Sequence, residues 1–110
     1  MKRAEIDGEL DDFGRFSDPA LMILISLADG PKHGYAMTED IAGIGDMRLG
    51  PGTLYGAITR LESRGLIEAM GAEERRMPYR ITALGEKALR LRLASIQNIA
   101  RIGQRRLASA

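Results

Sequence analysis

Leu49-Gly50-Pro51-Gly52-Thr53-Leu54-Tyr55-Gly56-Ala57-Ile58-Thr59-Arg60-Leu61-Glu62-Ser63-Arg64-Gly65-Leu66-Ile67 is the stretch on which the fold turns. Pro51 suits the first position of a helix, where no backbone donor is missed. Leu54, Ile58 and Leu61 recur at helical spacing and form one apolar stripe, leaving Thr53, Gly56, Arg60 and Ser63 on the opposite face. Gly65 fits the position just past a helix end, and Leu66-Ile67 resumes as a short strand with no room for a long loop. A polar loop then leads to an alternating, basic segment ending Tyr79-Arg80-Ile81-Thr82. Helix, tight stop and hairpin together make a winged helix.

The flanking segments supply the rest of such a domain. Asp18 can cap and Pro19 can open a helix carrying Leu21, Met22, Leu24, Ile25 and Leu27, so apolar that it should be central, and Asp29-Gly30-Pro31 ends it. A second helix is predicted from about Tyr35 to Ala42, with Met37, Ile41 and Ile44 inward, before Gly43 and Gly45 open a turn toward Met47-Arg48-Leu49. After the wing, Thr82 is the predicted N-cap of a last helix and Glu86 sits favourably in its first turn. Gly85 occupies the place where a capping box would carry Glu or Gln.

The last helix is predicted from Ala83 to Leu107, about 37 Å, which overshoots a domain of this size. Leu89, Leu93, Ile96, Ile99, Ala100 and Leu107 line it, and Leu84, Ala88 and Leu91 form a second partial stripe. Two stripes suggest two neighbours, its own domain and a second copy, and the first set is assigned to a homodimer interface. The alternative is a helix folded back on its own domain alone or bent at Gly103. The expected organisation is an N-terminal arm over 1–18, a winged helix-turn-helix domain over 19–82 and a C-terminal dimerisation helix over 83–110. The arm mixes charges with Gly8 and Gly14 and reads as mobile or weakly helical, while its Ile6, Leu10, Phe13 and Phe16 could pack on a partner.

Composition narrows the function classes. With 110 residues, 45% of them hydrophobic, the chain is one domain by length, and so small a domain is helped by a partner surface. It has no cysteine, hence no disulfide framework, thiolate metal site or cysteine nucleophile, and the cytoplasm is the expected compartment. No apolar run approaches the ~20 residues of a membrane span, so no membrane association is expected. The net charge is only +1, but residues 1–18 carry three cations against six anions, which leaves +4 on the remainder. With one histidine, His33, and no phosphate-cradling loop or paired catalytic carboxylates, neither catalysis, nor a metal, nor a cofactor is expected.

Pro51-Gly52-Thr53-Leu54-Tyr55, Arg60-Leu61-Glu62, Gly65-Leu66-Ile67 and Tyr79-Arg80-Ile81-Thr82, in that order and spacing, resemble the PadR family of bacterial transcriptional regulators. The likeness extends upstream through Gly30-Pro31-Lys32-His33-Gly34-Tyr35, similar to the family's turn before its second helix, and covers roughly residues 19 to 107. The resemblance implies a mostly helical fold with a small β-hairpin and a long C-terminal dimerisation helix. It also implies a DNA-binding repressor, often released by a small lipophilic effector. Here any effector pocket would be aliphatic, involving Met22, Met37, Leu89, Leu93 and Ile96, which read more readily as plain core. The chain departs from the family pattern at Glu73 and Glu74 in the wing tip and at Met77.

Readout of double-stranded DNA by a winged helix needs a helix in the major groove, small or polar side chains that allow close approach, and cations aimed at phosphates. Pro51, Gly52 and Thr53 meet the second need, and Arg60, Arg64, Arg75 and Arg76 the third. Tyr55 reads either as a core-edge residue or as a hydroxyl donor to phosphate. Lys32 and Tyr35 lie in the turn where a backbone clamp is expected. Two rival classes remain open at this level: a winged helix that docks another protein, and a small-molecule sensor with little DNA affinity.

Overall fold

The computed structural model describes residues 18–45, 47–71 and 77–109, so the N-terminal arm up to residue 17 and the wing tip with Glu73, Glu74, Arg75 and Arg76 lie outside the described residues. Helix α1 spans Pro19–Ala28. Its start is the predicted cap: the Asp18 carboxylate accepts from the Leu21 amide at 3.1 Å, with Pro19 in the first turn. Leu21, Met22, Ile23, Leu24 and Leu27 are buried, so α1 is the central helix of the core.

Helix α2 runs Gly34–Gly45, longer than the predicted Tyr35 to Ala42. Gly43 and Gly45 continue the helix instead of opening a turn. At Gly45 the reason is contact: a Cβ there would lie 2.8 Å from Met22 Cε, so the last turn of α2 presses directly on a side chain of α1. Met37 and Ile41 point inward as predicted, whereas Ile44 is exposed.

Helix α3 spans Pro51–Ser63 and buries Leu54, Ala57, Ile58 and Leu61 in the core shared with α1 and α2. It ends on Gly65, at φ +73°. The Gly65 amide donates to the Glu62 carbonyl at 2.9 Å and the Leu66 amide to the Leu61 carbonyl at 3.0 Å, the paired bonds of a left-handed helix stop. The chain then enters strand β1, Ile67–Ala69, which pairs antiparallel with β2, Tyr79–Ile81, in the register Ile67 to Ile81 and Ala69 to Tyr79. Tyr79 and Ile81 pack on the core, while Arg80 and Glu68 pair on the outer face.

Lys32 adds one rung on the other edge of the hairpin. Its amide donates to the Tyr79 carbonyl at 3.1 Å and its carbonyl accepts from the Tyr79 amide at 2.9 Å. The hairpin is thereby tied to the segment between α1 and α2.

Helix α4, Ala83–Ser109, continues unbroken through Gly103. Gly85 and Leu89 are buried and Ile96 packs on the core, so its first half belongs to the same core as the winged unit. Leu89, assigned from the sequence to an interface between copies, is 6% exposed within its own chain. A 3.6-residue period cannot say whether an inward leucine meets its own domain or another. Beyond Ile96 every described residue of α4 is exposed except Ile102, which is half-buried.

Candidate nucleic-acid interface

The apolar stripe of α3 fixes which face it turns outward. With Leu54, Ala57, Ile58 and Leu61 held in the core, Pro51, Gly52, Thr53, Tyr55, Thr59, Arg60, Ser63 and Arg64 are all exposed. Pro51 occupies the first turn, and the Leu54 amide donates to the Gly50 carbonyl at 3.0 Å. The N-terminal end of this face is low in relief, and further along the helix two hydroxyls are committed to the backbone. Thr59 donates to the Tyr55 carbonyl at 2.9 Å and Ser63 to the Arg60 carbonyl at 2.8 Å.

Gly56 lies in the middle of this surface. A Cβ there would sit 3.6 Å from the Arg60 guanidinium, ordinary contact distance, so packing does not demand glycine. What glycine does is lower the surface beneath Arg60, whose head group lies back toward the helix start. Among the described residues neither Arg60 nor Arg64 has a carboxylate within ion-pair distance, whereas Lys32, Arg80, Arg90 and Arg92 each do. Arg48, in the approach to α3, adds a cation that the helical pattern did not single out because it precedes the periodic segment.

Tyr55 is 51% exposed, so it is not a core side chain. Its ring leans from α3 onto the start of α2, where a Cβ on Gly34 would lie 2.6 Å from the Tyr55 hydroxyl oxygen. The glycine at 34 makes room for that phenol. Tyr35, in the next position of α2, is 72% exposed. Tyr79 lies near Tyr55 from the wing, and its phenol is held above the ordinary 10.0, first by burial and then by the negative charge of Glu62 and by Tyr55.

Lys32 takes a different course from the one its position in the turn suggested. Its ammonium donates to the Ser26 carbonyl at 2.6 Å and the Gly30 carbonyl at 3.4 Å, with the Asp29 and Asp40 carboxylates at 3.7 and 3.9 Å. Asp40 in turn accepts from the hydroxyl of Ser26, a fully buried residue, at 2.6 Å. Only 17% of the Lys32 side chain is exposed. The cation is directed inward, joining α1 and α2 under the wing, and is not presented beside Tyr35. Thus the fold gathers Pro51, Gly52, Thr53, Tyr55, Arg60 and Arg64 on one helix with Tyr35 beside it, and leaves Lys32 out; Arg75 and Arg76 are in the part of the wing outside the described residues.

Residues 23–91 match the Transcriptional regulator PadR-like family, from within α1 through α2, α3 and the wing to the start of α4. Transcriptional regulator Rv3488 of Mycobacterium tuberculosis is 35% identical over 85 residues, covering 74% of this chain and 78% of that protein. An uncharacterized 37.1 kDa protein in a transposon of Streptomyces fradiae is 41% identical over 75 residues, covering 68% of this chain but only 22% of its own length. Among solved structures, a transcriptional regulator from Clostridium thermocellum is similar at a TM-score of 0.69 and 30% identity, covering 78% of this chain and 89% of that one. A PadR family transcription regulator from Clostridium difficile shares the fold at a TM-score of 0.72 and 23% identity, covering 81% and 97%. The chain belongs to the PadR-like family of transcriptional regulators.

Proposed function

We propose that the protein represses transcription by binding a double-stranded DNA operator as a homodimer in the cytoplasm, with α3 in the major groove and the long α4 pairing the two subunits. The observation that carries this reading is the outward face of α3. It is a low surface of Pro51, Gly52, Thr53 and Gly56 next to two arginines without a carboxylate partner among the described residues. That combination suits close approach to base edges with phosphate contacts at the margin. Arg60 is the principal contact, Arg64 and Tyr55 flank it, and Tyr35 contributes from α2. Arg75 and Arg76, which lie outside the described residues, are assigned to further phosphate contacts on the strength of their charge and place in the wing.

The pairing of subunits rests on Leu93, Ile99, Ala100 and Leu107, all exposed along α4 within one chain. A helix that leaves such side chains in water is stabilised by covering them with a second copy. No helix among the described residues is long and apolar enough to cross a membrane, so a membrane is not what covers this one as a span. As a transcriptional regulator the chain is not an enzyme. Met22, Met37 and Leu89, from which an aliphatic effector pocket could have been built, are side chains of the core, so release by a lipophilic effector draws no support from them.

The test is binding to a duplex covering the gene's own promoter, with a scrambled duplex as competitor. Preference for the promoter is expected, and loss of that preference in Arg60→Ala while the dimer stays intact. Unchanged affinity of Arg60→Ala would remove the assignment of α3 as the reading helix.

A further inference from the structure

The junction between α3 and α4 is close for two helices separated by a whole hairpin. The turn that stops α3 presents two carbonyls, those of Gly65 and Leu66, and Thr82 takes both. Its hydroxyl donates to the Gly65 carbonyl at 2.6 Å and its amide to the Leu66 carbonyl at 3.1 Å. The same hydroxyl accepts from the Gly85 amide at 3.0 Å, so one side chain caps α4 and grips the end of α3. Gly85 completes the joint. A Cβ there would lie 2.0 Å from the Leu66 carbonyl oxygen and 2.8 Å from Ile81 Cγ1, so α4 rests backbone to backbone on the turn after α3. Carbonyl oxygens of a hydrogen-bonded turn cannot yield as the end of a flexible side chain can.

We infer that Thr82 and Gly85 are positioning residues that set the angle of α3 relative to α4, and thereby the distance between operator half-sites that the dimer accepts. This rests on the proposed function, in which α4 pairs the subunits and α3 reads the groove. Each α3 is then attached to the dimer axis through this joint, without a flexible linker. Two reading helices on one duplex must be separated by a defined rise and rotation, roughly 10 base pairs per turn, so a tilt at the joint becomes an error in half-site spacing.

The experiment uses the full chain and a series of operator duplexes whose half-sites are moved apart or together by one and two base pairs, with affinity read by fluorescence anisotropy. Thr82→Val removes the hydroxyl at nearly constant volume, Gly85→Ala forces the helix off the Leu66 carbonyl, and Thr82→Ser restores the hydroxyl. Wild type and Thr82→Ser are expected to prefer one spacing. In Thr82→Val the preferred spacing shifts or the preference weakens about fivefold, the smaller end of what one misplaced base-pair contact costs. Its dimer mass and its affinity for scrambled DNA stay unchanged. Gly85→Ala, where it folds, behaves likewise, and Thr82→Val stands as the test where it does not. A uniform loss at every spacing in Thr82→Val, with a lowered melting temperature, would mark a purely structural role and overturn the inference. Operator binding by the wild type with equal affinity at all spacings would overturn it while leaving the proposed function standing. A wild-type chain that binds no operator overturns both.

Discussion

At the scale of single residues, three of the cations assigned to DNA from the sequence have different surroundings and so different expected behaviour. Arg60 and Arg64 are exposed on α3, whereas the Lys32 ammonium is held by the Ser26 carbonyl and lies near Asp40. Replacing a phosphate-contacting cation lowers the salt dependence of binding by about one phosphate per subunit, and replacing an inward one does not. Arg60→Ala is therefore expected to flatten the log–log salt slope by about 2 for a dimer. Lys32→Met leaves the slope unchanged and instead lowers stability by about 1.5–3 kcal/mol, the worth of a hydrogen bond from a charged donor, here to the Ser26 carbonyl, read by denaturant unfolding. A slope that falls equally in both variants would return Lys32 to the DNA surface. Lys32 was not legible as an inward residue because its partners, Ser26 and Asp40, lie on two different helices, and nothing in the local pattern brings them together.

Tyr79 yields a pH prediction at the same scale. Its folded phenol titrates above the ordinary 10.0 because burial and the charge of Glu62 oppose ionisation, while in the unfolded chain it ionises near that value. The stabilisation is thus fully present below about pH 10 and is lost as pH rises through the folded value, because the unfolded chain gives up its proton first. Unfolding free energy measured from pH 8 to pH 11 should fall at the alkaline end, and Tyr79→Phe should flatten part of that fall. An equal alkaline fall in the variant would show that other groups account for it.

Elements defined by local signals were readable, and those defined by tertiary approach were not. Asp18 and Pro19 start α1, and Gly65 stops α3, through interactions within a few residues, so their roles follow from spacing alone. Gly65 has a φ of +73°, and the nearest atom to a Cβ added there would be Leu84 Cδ2 at 3.9 Å, so the demand for glycine is in the backbone and not in the space around it. Gly65→Ala should cost about 1 kcal/mol, lowering the melting temperature by roughly 4–8 °C, with Gly65→Asn milder. Gly85 is the converse. It reads as an incomplete capping box, yet the Leu66 carbonyl oxygen lies 2.0 Å from where a Cβ would be, whereas at Gly45 the close neighbour is the end of the flexible Met22 side chain.

For the whole molecule, the periodicity of α4 showed that two stripes exist without saying which neighbour each one meets. Leu89 and Ile96 pack on the chain's own core, and Leu84, Leu91, Leu93, Ile99 and Leu107 are left exposed. The proposed dimer follows from that exposure. Substituting Ile99 and Leu107 together with Glu should yield a monomer by analytical ultracentrifugation with the winged unit still folded; a dimer that survives would place the subunit interface elsewhere. The near-neutral charge of +1 gives the molecule little long-range attraction to DNA, so affinity has to come from a few placed cations.

The affinity for the promoter duplex across a range of salt concentrations, with stoichiometry determined at the lowest, bears most directly on the proposed DNA-reading role of α3. With Arg60, Arg64, Arg75 and Arg76 on phosphates in both subunits, about eight phosphates are neutralised, so two chains per duplex and a log–log slope of roughly −7 are expected. A slope shallower than about −3, or equal affinity for scrambled DNA, would contradict that role.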